Sequence, residues 1–137
     1  MKTKITVTEL THEELVNLLS TALYGSSWFG ASYDKNIYKS LENTEGDCFE
    51  DALADMLLNK QKITITDYYA EGEKYSKKFV RFDGEDAEYE ITLKDILNTA
   101  STKRGFKLVE EVLDGDGDFW TADAFLQRVV FGEEIYG

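Results

Sequence analysis

Between residues 47 and 67 the hydrophobic pattern changes period. Phe49, Leu53, Met56 and Leu57 recur at helical spacing, whereas Ile63 and Ile65 alternate with Thr64 and Thr66 as one face of a strand. A helix therefore runs directly into a sheet. Asp47, with Glu50 three residues on, makes a capping-box pattern at the helix start, and Asn59 suits a left-handed stop.

The same two periods organise the rest. Ile5 and Val7 alternate with threonines in a short strand that ends at Glu9 or Leu10. Thr11 and Glu14 form a second capping-box pattern before a stripe of Leu15, Leu18, Leu19, Ala22 and Leu23, which Gly25 ends. Residues 26–46 carry Trp28, Phe29, Tyr33 and Tyr38 with no sustained period and read as a long ordered loop. After a turn at Glu71 to Glu73, Tyr75, Phe79 and Phe82 mark an extended stretch, Gly84 a turn, and Tyr89 with Ile91 a further strand, together an antiparallel meander.

Thr92, with Asp95, caps a helix whose buried face is Leu93, Ile96, Leu97 and Ala100. Gly105 is a candidate break before Phe106, Leu108, Val109, Val112 and Leu113, so one bent helix or two short ones both fit. The run DGDGD at 114–118 reads as a turn, Thr121 as the cap of a last helix bearing Phe125, Leu126, Val129 and Val130, and Gly132 as its end. The tail packs through Ile135 and Tyr136. The expectation is one α+β domain over 1–137: a small antiparallel β-sheet of three or four strands packed against three or four α-helices.

Composition narrows the function more than the fold. Hydrophobic residues at 42% and aromatics at 13% of 137 residues exclude an intrinsically disordered chain. The net charge of −12 opposes direct binding to nucleic acid or to an anionic membrane. Cys48, the sole cysteine, excludes an internal disulfide, and no apolar run is long enough to span a bilayer or to serve as a signal peptide. These features read as a soluble intracellular protein.

Standard catalytic chemistry has little to stand on. The DGDGD run begins like a calcium loop, but its sixth and twelfth positions, which need Gly and Glu, are Phe119 and Phe125. A looser metal set of Asp114, Asp116, Asp118 and Asp123 competes with a solvated turn that places negative charge near a helix N-terminus, and the turn is preferred. The single histidine, His12, falls at the first position of its helix, a solvent-facing place, and reads as an exposed surface histidine rather than a general base. Cys48 lies in the first turn of a helix whose dipole lowers a thiol pKa, while Asp47, Glu50 and Asp51 push the other way. The reading is no enzyme, with no catalytic residue, metal or cofactor.

The acids are placed unevenly. Segments 42–55, 83–90 and 110–123 hold seventeen of the twenty-seven acidic residues and no Lys or Arg. If they converge, they imitate a phosphate backbone, and a partner-binding surface would comprise Glu42, Glu45, Asp47, Glu50, Asp51, Asp55, Asp83, Glu85, Asp86, Glu88, Asp114, Asp116 and Asp118. A generic acidic, soluble exterior is the alternative. Against this trend, Lys74, Lys77, Lys78 and Arg81 crowd one extended stretch, where they blunt an exposed strand edge. They also define an alternative ligand site, with Trp28, Phe29 and Tyr33 to stack a base and Lys77, Lys78 and Arg81 to hold phosphate.

Four segments carry a resemblance: ALYG at 22–25, ADMLLNKQKITITD at 54–67, YEITLKDIL at 89–97 and ADAFLQRVVFGEEIYG at 122–137. With the intervening pattern they cover about half the chain and resemble a loosely defined group of short acidic proteins from phages and prophages of Gram-positive gut bacteria. The shared motifs are packing and turn motifs, so no functional residue is carried across. The resemblance implies an accessory protein in the cytoplasm of an infected bacterial host, acting as a stoichiometric inhibitor of a host defence protein, of anti-CRISPR or anti-restriction type. The partner would present a basic nucleic-acid-binding surface. Two alternatives are a sponge for a nucleotide immune signal and a homo-oligomeric phage protein that associates near Phe131 and Tyr136.

Overall fold

Leu15, Leu53, Ile65, Tyr89, Ile91, Val129 and Val130 have no exposed surface, and around them the buried apolar side chains form one cluster. Each such side chain contributes about 1.5–3 kcal/mol on leaving water. The computed structural model describes residues 6–46, 48–70 and 76–136. In chain order these form α1 (His12–Gly25), β1 (Phe29–Ser32), α2 (Lys35–Lys39), α3 (Phe49–Leu58), β2 (Ile63–Asp67), β3 (Phe79–Asp83), β4 (Asp86–Ile91), α4 (Leu93–Ala100), α5 (Lys103–Leu113) and α6 (Phe119–Phe131). The fold is α+β, with six helices among the described residues where three or four were expected.

All strand pairs are antiparallel, in the order β1-β2-β4-β3. The expected meander is therefore wrong: β2 pairs with β4, and β3 lies outside β4 as an edge strand. Cross-strand partners Ile63 with Ile91, Ile65 with Tyr89 and Asp67 with Ala87 are all buried, so one sheet face meets α1, α3 and α6. The other face is polar, with Lys62 paired to Glu90 at 2.9 Å and Arg81 to Glu88 at 2.8 Å.

Several local expectations hold. Thr11 with Glu14 and Thr92 with Asp95 form complete capping boxes, Gly132 ends α6 at φ 82°, and Tyr136 and Ile135 pack half-buried against the core. Others are displaced by neighbours. Residues 6–10 form no strand, because Val7 exchanges hydrogen bonds with the Ser101 hydroxyl instead; Ile5 lies outside the described residues. The long loop contains β1, paired to β2, and the short α2.

Cys48, not Asp47, caps α3, and its partner is Asp51 rather than Glu50; Asp47, Tyr75 and the turn at Glu71 to Glu73 lie outside the described residues. Phe49 is 42% exposed at the first turn of α3, off the buried stripe. Asn59 keeps a negative φ, and Lys60, at φ 61°, makes the left-handed step. Asp118, not Thr121, caps α6, accepting from the Trp120 and Thr121 amides. The break between α4 and α5 falls at Ser101 and Thr102, and Gly105 sits inside α5 because a Cβ there would lie 1.9 Å from the Thr99 carbonyl oxygen.

Candidate functional site

The capped first turn of α1 delivers His12 against α3, and one carboxylate organises what surrounds it. Asp55 is 2% exposed. It accepts from the Glu45 amide at 2.9 Å and from the Tyr38 hydroxyl at 3.2 Å, while the Asn59 side-chain amide donates to the Asn43 carbonyl at 2.9 Å. These bonds fold segment 42–46 back along α3. His12 Nε2 then lies 3.2 Å from Asp55 Oδ1 and 3.9 Å from Asp51 Oδ1, and Nδ1 lies 3.5 Å from Glu45 Oε2. Burial, followed by the Asp55 charge and hydrogen bond, raises the Tyr38 hydroxyl above its ordinary pKa.

Beside this cluster opens a cleft of about 680 Å³, lined by His12 and by the acids Glu13, Glu42, Glu45 and Asp55. Such a lining attracts positive charge and repels phosphate. The reading of His12 as solvent-facing is corrected: its side chain is only 14% accessible, because the returning segment covers it. Nothing in the helical position of His12 could have shown that. At the adjacent N-cap the Cys48 thiol donates to Asp51 Oδ2 at 3.0 Å, and this bond raises the thiol pKa, which opposes nucleophilic reactivity.

The predicted acids separate into distinct places. Glu42 and Glu45 are exposed at the cleft, and Glu50 and Asp51 are half-buried in the first turn of α3. Asp55 is interior and is removed from the predicted contact surface, because its carboxylate is consumed in holding segment 42–46. Asp47 lies outside the described residues. Asp83 and Glu85 are exposed at the β3–β4 turn with Asp86 half-buried, and Glu88 is half-buried and paired to Arg81. Asp114, Asp116 and Asp118 are exposed between α5 and α6, where Asp118 also serves as the α6 cap.

Distance between the groups follows from α1. Phe119 packs on Gly25, where an added Cβ would lie 2.6 Å from its ring, so the 114–118 turn sits at the C-terminal end of α1. The Glu42 to Asp55 group sits at the N-terminal end. A helix of 14 residues is about 21 Å long, which separates these two acidic groups along its axis.

The alternative ligand residues are not assembled as expected. Trp28 and Phe29 are 2% and 4% exposed, so neither offers a free ring face for a base; they fill the core beside Phe131 and Tyr136. Tyr33 packs half-buried on Tyr38 and Phe49. Lys77 is exposed and Lys78 half-buried, Arg81 is committed to Glu88, and Lys74 lies outside the described residues. Phe131 is 4% exposed, which removes it from the expected oligomer surface.

A buried polar network was missed altogether. Asp123 accepts from Trp28 Nε1 at 2.6 Å and Gln127 Nε2 at 2.7 Å; Asp67 accepts from the Tyr136 hydroxyl at 2.6 Å and the Tyr69 amide at 3.0 Å. The available signals were faint. Asp67 continues the Ile63–Ile65 alternation onto the buried face, and Asp123 lies one turn before Gln127. Asp123, considered with the DGDGD aspartates as a loose metal set, faces Trp28 instead, and among the described residues no group of three or more His, Cys, Asp or Glu could hold a metal ion. No helix among the described residues is long and apolar enough to cross a membrane. No family model, curated protein or solved structure matches the chain.

Proposed function

We propose that this protein is a non-catalytic, stoichiometric inhibitor that occupies a basic, nucleic-acid-binding surface of another protein. The observation that carries the reading is the acid-lined cleft at the head of α1, where Glu13, Glu42 and Glu45 stand exposed around a segment that Asp55 holds in place. Carboxylates held on hydrogen-bonded supports lose little conformational freedom on binding, and they attract lysine and arginine before contact. The resemblance to acidic phage accessory proteins supports a host defence protein, of restriction or CRISPR type, as the partner.

The nucleotide-sponge reading loses its stacking platform to the burial of Trp28 and Phe29. Homo-oligomerisation near Phe131 loses its apolar contact in the same way.

The test begins with capture at low salt from a bacterial lysate and continues with competition by duplex DNA on the purified partner. Inhibition at one-to-one stoichiometry, displacement by DNA, and weakening as salt shortens the screening length below about 10 Å support the proposal. Joint replacement Glu13→Gln, Glu42→Gln and Glu45→Gln should weaken binding at least tenfold, equivalent to about 1.4 kcal/mol. Binding that ignores both salt and the triple replacement would overturn it.

A further inference from the structure

A second cleft, of about 400 Å³, lies at the opposite end of α1, within the range of roughly 300–1,000 Å³ usual for small-ligand sites. Its lining differs in kind. Tyr69 and Trp120, 52% and 61% exposed, and the half-buried Tyr136 form its walls, with Trp28 buried beneath them. Tyr69 and Tyr136 meet edge to face, their ring centroids 5.4 Å apart at 85°. Aromatic faces present the negative side of a quadrupole, so rings set at an angle enclose a volume favourable to positive charge.

The floor adds a full negative charge. Asp123 is 6% exposed, and both of its hydrogen bonds, from Trp28 and Gln127, end on Oδ1. No Lys, Arg or His among the described residues pairs with it. Neutral donors alone offset only part of the cost of burying a carboxylate. Glu134 at the rim is different, because Arg128 at 2.7 Å and Arg104 at 3.4 Å already match it. The unmatched charge facing the cleft is therefore that of Asp123.

We infer that this cleft binds an organic cation, an alkylammonium or guanidinium head group, with Trp120, Tyr69 and Tyr136 as its walls and Asp123 as its counter-charge. A phosphate or carboxylate ligand would meet Asp123 with like charge. A purely apolar ligand would leave it uncompensated. A bare metal ion needs several oxygen ligands, which one carboxylate among aromatic rings does not supply. The inference does not depend on the acid-lined cleft, and the two sites can be tested separately.

Both tryptophans of the chain, Trp28 and Trp120, line this cleft, so intrinsic fluorescence reads the site directly. The full chain is titrated with choline for the quaternary ammonium head and ethylguanidinium for the guanidinium head. The neutral isostere 3,3-dimethylbutan-1-ol is the control, all at matched ionic strength. A saturable change is expected with at least one cation and none with the alcohol, and the two cation arms separate the head groups. Trp120→Ala, at an exposed position, and Asp123→Asn, which preserves the acceptor for Trp28 and Gln127, should each weaken the cation about five- to tenfold. Absence of saturation with both cations, an equal response to the alcohol, or unchanged affinity in a folded Trp120→Ala variant overturns the inference.

Discussion

Two buried aspartates stand near opposite ends of α1 and are held in different ways. Asp55, at the N-terminal end, has an imidazole nitrogen 3.2 Å away, a hydroxyl and a backbone amide, and its work is to pin a surface segment. Asp123, at the C-terminal end, has an indole and a side-chain amide, both neutral, and beside it lies a cleft with aromatic walls. A carboxylate enclosed by its own chain's donors is structural. One left with spare acceptor capacity beside an opening has something to offer a ligand.

The largest expected effect separates the two directly. Asp55→Ala strands the Tyr38 hydroxyl and the Glu45 amide together, and should cost about 3 kcal/mol or more. Asp123→Asn keeps an oxygen for Trp28 and Gln127 and should cost less than about 1 kcal/mol. Urea denaturation of both variants measures the contrast. Equal losses would show that the two carboxylates are structurally alike.

A smaller effect concerns the rim of the second cleft. Burial raises the Glu134 pKa, but the hydrogen bonds and charges of Arg104 and Arg128 outweigh it and leave the group below its ordinary value. A depressed folded pKa means stability that is fully present above the unfolded glutamate value and is lost as pH falls through the lower folded one. The acid limb of the stability curve should therefore flatten in Glu134→Gln, and an unchanged limb would remove these pairs from the account.

The smallest effect belongs to the first end. The Asp51 hydrogen bond keeps the Cys48 thiol protonated to higher pH than a free cysteine, so iodoacetamide should alkylate it slowly near pH 8 despite its exposure. Asp51→Asn should speed the reaction several-fold, as followed by mass spectrometry.

Legibility in the sequence followed the range of the interactions. The stripes of α1 and α6 and the alternation of β2 are set by neighbours three, four or two positions away, and they appear where the pattern puts them. The capping boxes at Thr11 and Thr92 are equally local. β1 escaped notice because its four residues, FGAS, carry no alternation, and it is a strand only because β2 offers it a partner. The strand order was illegible for the same reason, since exchanging β3 and β4 beside β2 changes no local pattern.

The sites follow this division. Net negative charge and the uneven spacing of the acids are properties of the chain itself. Which acids meet solvent was decided by packing: Asp55 and Asp123 went inside because Tyr38, Glu45 and Trp28 reached them from other elements of the chain. Periodicity assigns a residue to a face of its own element. What covers that face, whether segment 42–46 over His12 or α6 over Trp28, depends on contacts between residues far apart in sequence, and only the folded chain contains them.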